Sequence, residues 1–132
     1  MIQRLGRPLA VVLVCFGVLL AGCSGKGGAE APAAVPSWAR GMGAVQVGSL
    51  PGEARETLRL IDAGGPFPYE KDGASFGNYE RVLPRQKRGY YREYTVRTPR
   101  ERDRGARRIV TGRGGEIYYT DDHYKTFKAV LR

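Results

Sequence analysis

Both cysteines of this chain, Cys15 and Cys23, fall within its first 23 residues. Nothing after them can form a disulfide within the chain, and His123 is the only histidine. A zinc site of Cys/His type is therefore excluded downstream. Whatever folds there must stand on its own hydrophobic core. The length bounds that core: 132 residues allow one domain with appendages. They are too few for a Rossmann or barrel enzyme.

The first segment reads as an address. Arg4 and Arg7 precede an apolar run from Pro8 to Leu20. That run has the length of a signal-peptide core and is shorter than the roughly 20 residues that span a bilayer. Leu20-Ala21-Gly22-Cys23 resembles the lipobox of bacterial lipoproteins, which implies a signal peptide over 1–22 and lipidation of Cys23 as the first mature residue. An ordinary secretory signal with an incidental cysteine is the alternative. Either way the expected localisation is secreted or extracellular, with a cell-surface lipid anchor in the first case. Residues 24–44 hold five Gly, six Ala and two Pro, so 23–44 is expected to be a flexible linker with Trp38 exposed, docking of Trp38 and Met42 on the domain being the alternative. The domain is then 45–132.

Charge narrows the partner. The chain carries 22 Lys and Arg against 13 acids, a net +9. From Arg85 to Arg108 there are ten basic residues and three acids. Tyr90, Tyr91, Tyr94, Tyr118, Tyr119 and Tyr124 interleave with this region. Basic groups with aromatic rings suit phosphate contacts and base stacking. A solvated basic face over tyrosines buried in the core is the plainer alternative.

The domain reads as a helix followed by strands. Leu50, Ala54, Leu58 and Ile61 recur at spacings of four, four and three, a buried helical stripe. Ser49 is positioned to cap it, and Gly64-Gly65-Pro66 stops it. Strands are expected over 90–98, 107–111, 117–120 and 126–131. In the first, Tyr91, Glu93 and Thr95 share one face and Arg92, Tyr94 and Val96 the other. Alternation also forces one of Arg107 and Arg108 toward the layer side of the sheet or a cleft. The expected class is α+β, one N-terminal helix packed on a twisted antiparallel β-sheet.

Several segments, in order, carry a resemblance. They are Gly65-Pro66-Phe67-Pro68-Tyr69, Asp72-Gly73, Phe76-Gly77-Asn78-Tyr79-Glu80, Leu83-Pro84, Gly89-Tyr90-Tyr91-Arg92-Glu93-Tyr94-Thr95-Val96, Arg104-Gly105-Ala106-Arg107-Arg108 and Tyr118-Tyr119-Thr120-Asp121-Asp122-His123-Tyr124. Together they resemble the microbial guanyl-specific ribonucleases, most closely the Streptomyces type, through almost all of residues 50–130.

The resemblance implies an endoribonuclease that cleaves single-stranded RNA 3′ of guanosine by transesterification, without metal or other cofactor. Glu93 and His123 match the family's general acid–base pair, and Arg104 and Arg108 its phosphate-binding arginines. Phe76, Gly77, Asn78, Tyr79 and Glu80 match the base-binding loop. Tyr69 and Tyr124 match positions lining the cleft, although Tyr69 also suits a core position. The residue types fit the chemistry. A carboxylate and an imidazole can exchange protons near neutral pH, and guanidinium groups offer paired donors to phosphoryl oxygens. Two departures bear on base recognition: Tyr79 stands where the Streptomyces pattern usually has arginine, and Gly77 where it has a glutamine-like side chain. The pattern's terminal disulfide is also missing. A monomer is expected, and a basic nuclease cleft is a natural target for a barstar-like acidic protein inhibitor. The competing function is a non-catalytic module that holds RNA or another polyanion.

Overall fold

The computed structural model describes residues 35–132. The expected signal peptide, lipidation at Cys23 and residues 23–34 of the expected linker lie outside the described residues.

One helix, α1 (Gly52–Ala63), packs on a sheet of six strands. The strands are β1 (Ala44–Gln46), β2 (Ala74–Phe76), β3 (Tyr91–Thr95), β4 (Arg108–Gly112), β5 (Ile117–Thr120) and β6 (Lys128–Leu131). Their spatial order is β1-β6-β5-β4-β3-β2. The run from β2 to β6 is an antiparallel meander, as expected. The sheet as a whole is mixed, because β1 pairs with β6 in parallel. Both β1 and β2 escape sequence reading because three residues are too short to show a period-2 pattern.

The helix buries the expected stripe. Leu50, Ala54 and Leu58 are buried against Val96, Ile109, Ile117, Tyr119 and Val130, with Ile61 at the margin. Thr57 joins them, and its hydroxyl lies 3.0 Å from the Glu53 carbonyl and 3.3 Å from that of Thr95. Ser49 does not cap the helix. It ends a short 3₁₀ turn, and Pro51 occupies the N-cap position. Burial of Leu50 fixes the entry, and the Pro51 φ of −52° suits it. At the other end Gly64 takes φ 79°, and the Gly65 N–H donates to Leu60 O, closing the helix.

The far face of the sheet is also covered. Leu83, Tyr91, Val110, Tyr118 and Phe127 form a second core there. Residues 35–43 supply part of its lid. Trp38 meets the Tyr118 ring edge-on at 5.3 Å, Met42 packs beside it, and Ala39 is 1% exposed. Residues 35–43 of the expected linker are therefore part of the fold, and Trp38 is docked rather than free. Its ring is drawn in because the apolar far face needs more cover than the meander supplies. All four residues of β5 are buried, as a strand with both faces covered requires.

Replacing Trp38 by Ala is expected to lower unfolding free energy by roughly 2 kcal/mol, below the loss for a fully buried ring because Trp38 is only partly buried. Urea denaturation checks this. An unchanged midpoint would mean that residues 35–43 contribute no packing.

Candidate active site

Strand register assembles the site on the far face. Thr95 on β3 pairs with Arg108 on β4, which pairs with Thr120 on β5. Glu93 lies one step along the same face of β3 from Thr95. The reading that Tyr91, Glu93 and Thr95 share a face therefore holds. So does the reading that one of Arg107 and Arg108 turns inward. It is Arg108, at 2% exposure.

The Arg108 guanidinium is held by backbone. Its Nη1 donates to the carbonyls of Arg107 (2.8 Å), Gly105 (2.9 Å) and Arg104 (3.3 Å). Its Nε is buried without a hydrogen-bond partner, and among the described residues no carboxylate pairs with it. Its Cζ lies 5.8 Å from the centre of the Tyr124 ring. Arg104 reaches the same place from its loop. It donates from Nε to Thr95 Oγ1 at 3.0 Å and lies 3.4 Å from Glu93 Oε1. The other Glu93 oxygen accepts the Tyr124 hydroxyl at 2.7 Å. The Glu93 side chain keeps 13% of its surface exposed. Burial, reinforced by the Glu93 charge, pushes the Tyr124 phenol up to about 12, so it is a donor to that carboxylate at neutral pH.

His123 and Tyr124 both have left-handed backbone, with φ of 57° and 70°. That is unusual for two consecutive non-glycine residues. A polar turn holds them. Thr120 Oγ1 donates to Asp122 Oδ1 at 2.8 Å and accepts the Tyr124 N–H at 3.2 Å. Asp122 also accepts the backbone and hydroxyl of Thr126. The His123 N–H donates to Ala106 O at 3.0 Å, tying this turn to the arginine loop. The imidazole is exposed beside the Tyr124 ring, at 4.9 Å between centroids. Tyr124 thus stands between His123 and Glu93 and touches both.

A cleft of about 760 Å³ opens next to Glu93 and Tyr124. Phe76, Gly77, Asn78, Tyr79 and Glu80 form one wall. Phe76 stacks on Tyr124 at 5.0 Å and 27°, joining the two loops. Asn78 has φ 50°. Its side chain is committed within the loop, donating to Leu83 O at 2.9 Å and accepting Leu83 N–H at 3.1 Å. Its carbonyl accepts the Arg81 N–H at 2.9 Å. The Tyr79 ring lies over Gly77, where an added Cβ would come within 2.5 Å of it, and is otherwise 92% exposed. Glu80 is exposed at the cleft.

Tyr69 is not brought to this cleft. It lines a separate hollow of about 680 Å³ between α1 and the turn at Pro66–Pro68. The Tyr69 N–H donates to Asp72, whose other oxygen accepts the Thr95 N–H at 2.7 Å. Asp72 thereby fixes the end of β3 that carries Thr95. Sequence reading gave it only as a turn residue. It also missed Phe127, which lines the cleft, and the Asp122–Thr120–Thr126 turn. Short polar residues spaced two and four apart were the available signal for that turn.

A fold and site of this kind define a small α+β protein whose concave face is built for an anion beside a carboxylate. A family model described as ribonuclease matches residues 35–131, and the chain belongs to that family. It is 52% identical over 91 residues to guanyl-specific ribonuclease St of Saccharopolyspora erythraea, covering 69% of this chain and 90% of that one. It is 56% identical over 89 residues to guanyl-specific ribonuclease Sa of Kitasatospora aureofaciens, covering 67% and 93%. A crystal structure of ribonuclease Sa2 with guanosine-2′-cyclophosphate matches with a TM-score of 0.65 at 48% identity, over 68% of this chain and 96% of that one.

The bonds to Asp122 hold its carboxyl at about 2, below its ordinary 3.8, with the Thr126 hydroxyl the largest cause. A depressed carboxylate stabilises the fold above its unfolded value and loses that contribution as pH falls through the folded one. Asp122→Ala is therefore expected to lower Tm at pH 7, with the gap to wild type closing as pH approaches 2. Thermal melts across that range decide it, and a gap constant with pH would assign the loss to packing.

Proposed function

We propose that the chain is a guanyl-preferring endoribonuclease that cleaves single-stranded RNA 3′ of guanosine without metal. The observation that carries this is the buried Arg108 guanidinium, which has no carboxylate partner among the described residues, beside a Glu93 carboxylate oriented by Tyr124 and Arg104. A buried cation without a counterion calls for an anion. The similarity to guanyl-specific ribonucleases supports phosphate as that anion and guanine as the base.

In this reading Glu93 removes the proton from the ribose 2′-OH, whose oxygen attacks phosphorus. His123 donates a proton to the departing 5′ oxygen. A P–O bond forms and another breaks, leaving a 2′,3′-cyclic phosphate. In the second step His123 takes a proton from water, and Glu93 returns one to the 2′ oxygen, giving a 3′-phosphate. DNA lacks the nucleophile. Arg104 and Arg108 donate to the phosphoryl oxygens, where negative charge accumulates in the transition state. Tyr124 holds Glu93 and walls the cleft. Guanine enters along Phe76–Tyr79, with backbone amides meeting O6 and the Glu80 carboxylate accepting the N1 and N2 protons. Adenine has no N1 proton to offer, so Glu80 rejects it.

The same reading places the enzyme outside the cytoplasm, by way of the leader over 1–22, with Cys23 as the lipid attachment point. It acts as a monomer. The basic surface beside the cleft is what an acidic protein inhibitor would cover.

Glu93→Gln and His123→Ala are each expected to lower kcat on a guanosine-containing oligonucleotide by about 10²–10⁴-fold, in the range for a lost general acid or base. Cleavage should continue in EDTA and yield a 2′,3′-cyclic end. Chromatography of the products checks both. A folded protein that binds the RNA and leaves it intact would sink this reading and favour a binding module. Glu80→Gln should retain cleavage and narrow the difference between cuts after G and after A. An unchanged ratio would remove Glu80 from base selection.

A further inference from the structure

The wall formed by residues 76–79 has two sides. On one lies the cleft, whose charged lining residues are Glu70, Glu80, Glu93 and the single cation Lys71. On the other lies a groove of about 580 Å³ lined by Arg81, Arg85, Lys87 and Arg88 and by no acidic residue. All four cations are exposed, and none belongs to an ion pair among the described residues. The loop that carries them is anchored. Leu83 is 2% exposed, Asn78 is hydrogen-bonded to it, and the Tyr91 hydroxyl donates to Pro84 O. Four unpaired like charges held on one anchored loop repel each other. A polyanion removes that repulsion.

We propose that this groove binds the phosphodiester chain on the 5′ side of the guanosine held in the cleft. The proposal rests on the function assigned above, and direction follows from register. Tyr91, Glu93 and Thr95 succeed one another along one face of β3, about 7 Å apart. The 3′ phosphate belongs at the Thr95 end, where Arg104 is bound and Arg108 is paired. The groove is at the Tyr91 end. The 5′ arm is therefore the one that meets it. The net acidic cleft disfavours phosphate and leaves room for a base, while the basic groove takes the backbone. Tyr79 borders both hollows and is 92% exposed, so its ring is placed to stack on the upstream base. A flat lipid headgroup surface would use neither the hollow nor the ring.

The test compares wild type with the triple variant Arg85→Gln, Lys87→Gln, Arg88→Gln. The substrates are the dinucleotide GpC, the 5′-extended UUUGC and the 3′-extended GCUUU. Wild type should cleave UUUGC with kcat/KM about tenfold above GpC at low salt, mostly through KM. The triple variant should lose most of that gain and keep its GpC and GCUUU rates within about twofold. Anisotropy with UUUGC carrying 2′-deoxyguanosine reads binding without cleavage, and its salt slope should fall by about 2 for three lost cations. Equal loss on GpC, a 5′ gain retained by the variant, or no 5′ gain in wild type would each overturn the proposal. So would vesicles of phosphatidylcholine and phosphatidylglycerol losing the variant while oligonucleotide binding stays unchanged, which would assign the groove to lipid. If wild type leaves GpC uncut but the substitutions still weaken the deoxyguanosine probe, the cleavage reading fails and the groove's affinity for the strand stands.

Discussion

The three carbonyls gathered on Arg108 Nη1 organise the site around them. Residues 104, 105 and 107 all turn their oxygens toward one nitrogen. This wraps the arginine loop about a side chain that comes from the sheet. Charge-assisted bonds of this kind are stronger than neutral ones and offset part of the desolvation of a buried cation. They also fix the base of Arg104, whose own side chain then spans from Thr95 to Glu93. Carbonyl dipoles lower the cost of burying Arg108 without cancelling its charge. The field of that charge remains available to an anion at the open side of the site.

Tyr124 performs the corresponding task for the other half. Its hydroxyl holds Glu93, one ring contact is His123, and another is Phe76 at the start of the 76–80 loop. In the proposed mechanism Glu93 and His123 act on opposite sides of a reacting phosphate, so the two groups cannot simply bond to each other. The Tyr124 side chain contacts both, its hydroxyl bonded to Glu93 and its ring beside the imidazole. The Phe76 stack joins the 76–80 loop to the ring that holds Glu93, so in the proposed mechanism a base bound along the wall is registered against Glu93 by aromatic packing. Charge follows the same division, with acids lining the cleft and cations lining the groove beyond Asn78.

Much of this was legible where one side chain decides one direction. The spacing of Leu50, Ala54, Leu58 and Ile61 marked the helix face, and alternation along 91–96 placed Glu93 beside Thr95. Adjacent Arg107 and Arg108 required one side chain to face the layer side of the sheet or a cleft, and Arg108 does. What failed depends on long-range contact. The three-residue strands β1 and β2 are strands because β6 and β3 pair with them. Trp38 looked like a member of a Gly- and Ala-rich linker, yet the uncovered far face gives it a place beside Tyr118. Tyr69 followed the family motif toward the cleft, but the turn before it packs on α1 and carries its side chain into the other hollow.

The turn at His123 and Tyr124 shows how a domain without disulfides holds a strained site. Left-handed backbone costs an ordinary side chain roughly 1–2 kcal/mol per residue. Glycine would remove that cost, but it has neither an imidazole nor a phenol to place. The turn instead uses Thr120, which is 1% exposed at the end of a strand buried on both faces. One threonine hydroxyl donates to Asp122 and accepts from Tyr124, so strain in the turn is opposed by bonds rooted in the best-packed strand. Asp122, bonded also to Thr126, carries the restraint to the chain leaving the turn. Covering both faces of the sheet therefore does more than replace a covalent staple. It gives β5 a buried end, at Thr120, from which the left-handed backbone of His123 and Tyr124 is held, with Tyr124 lining the cleft.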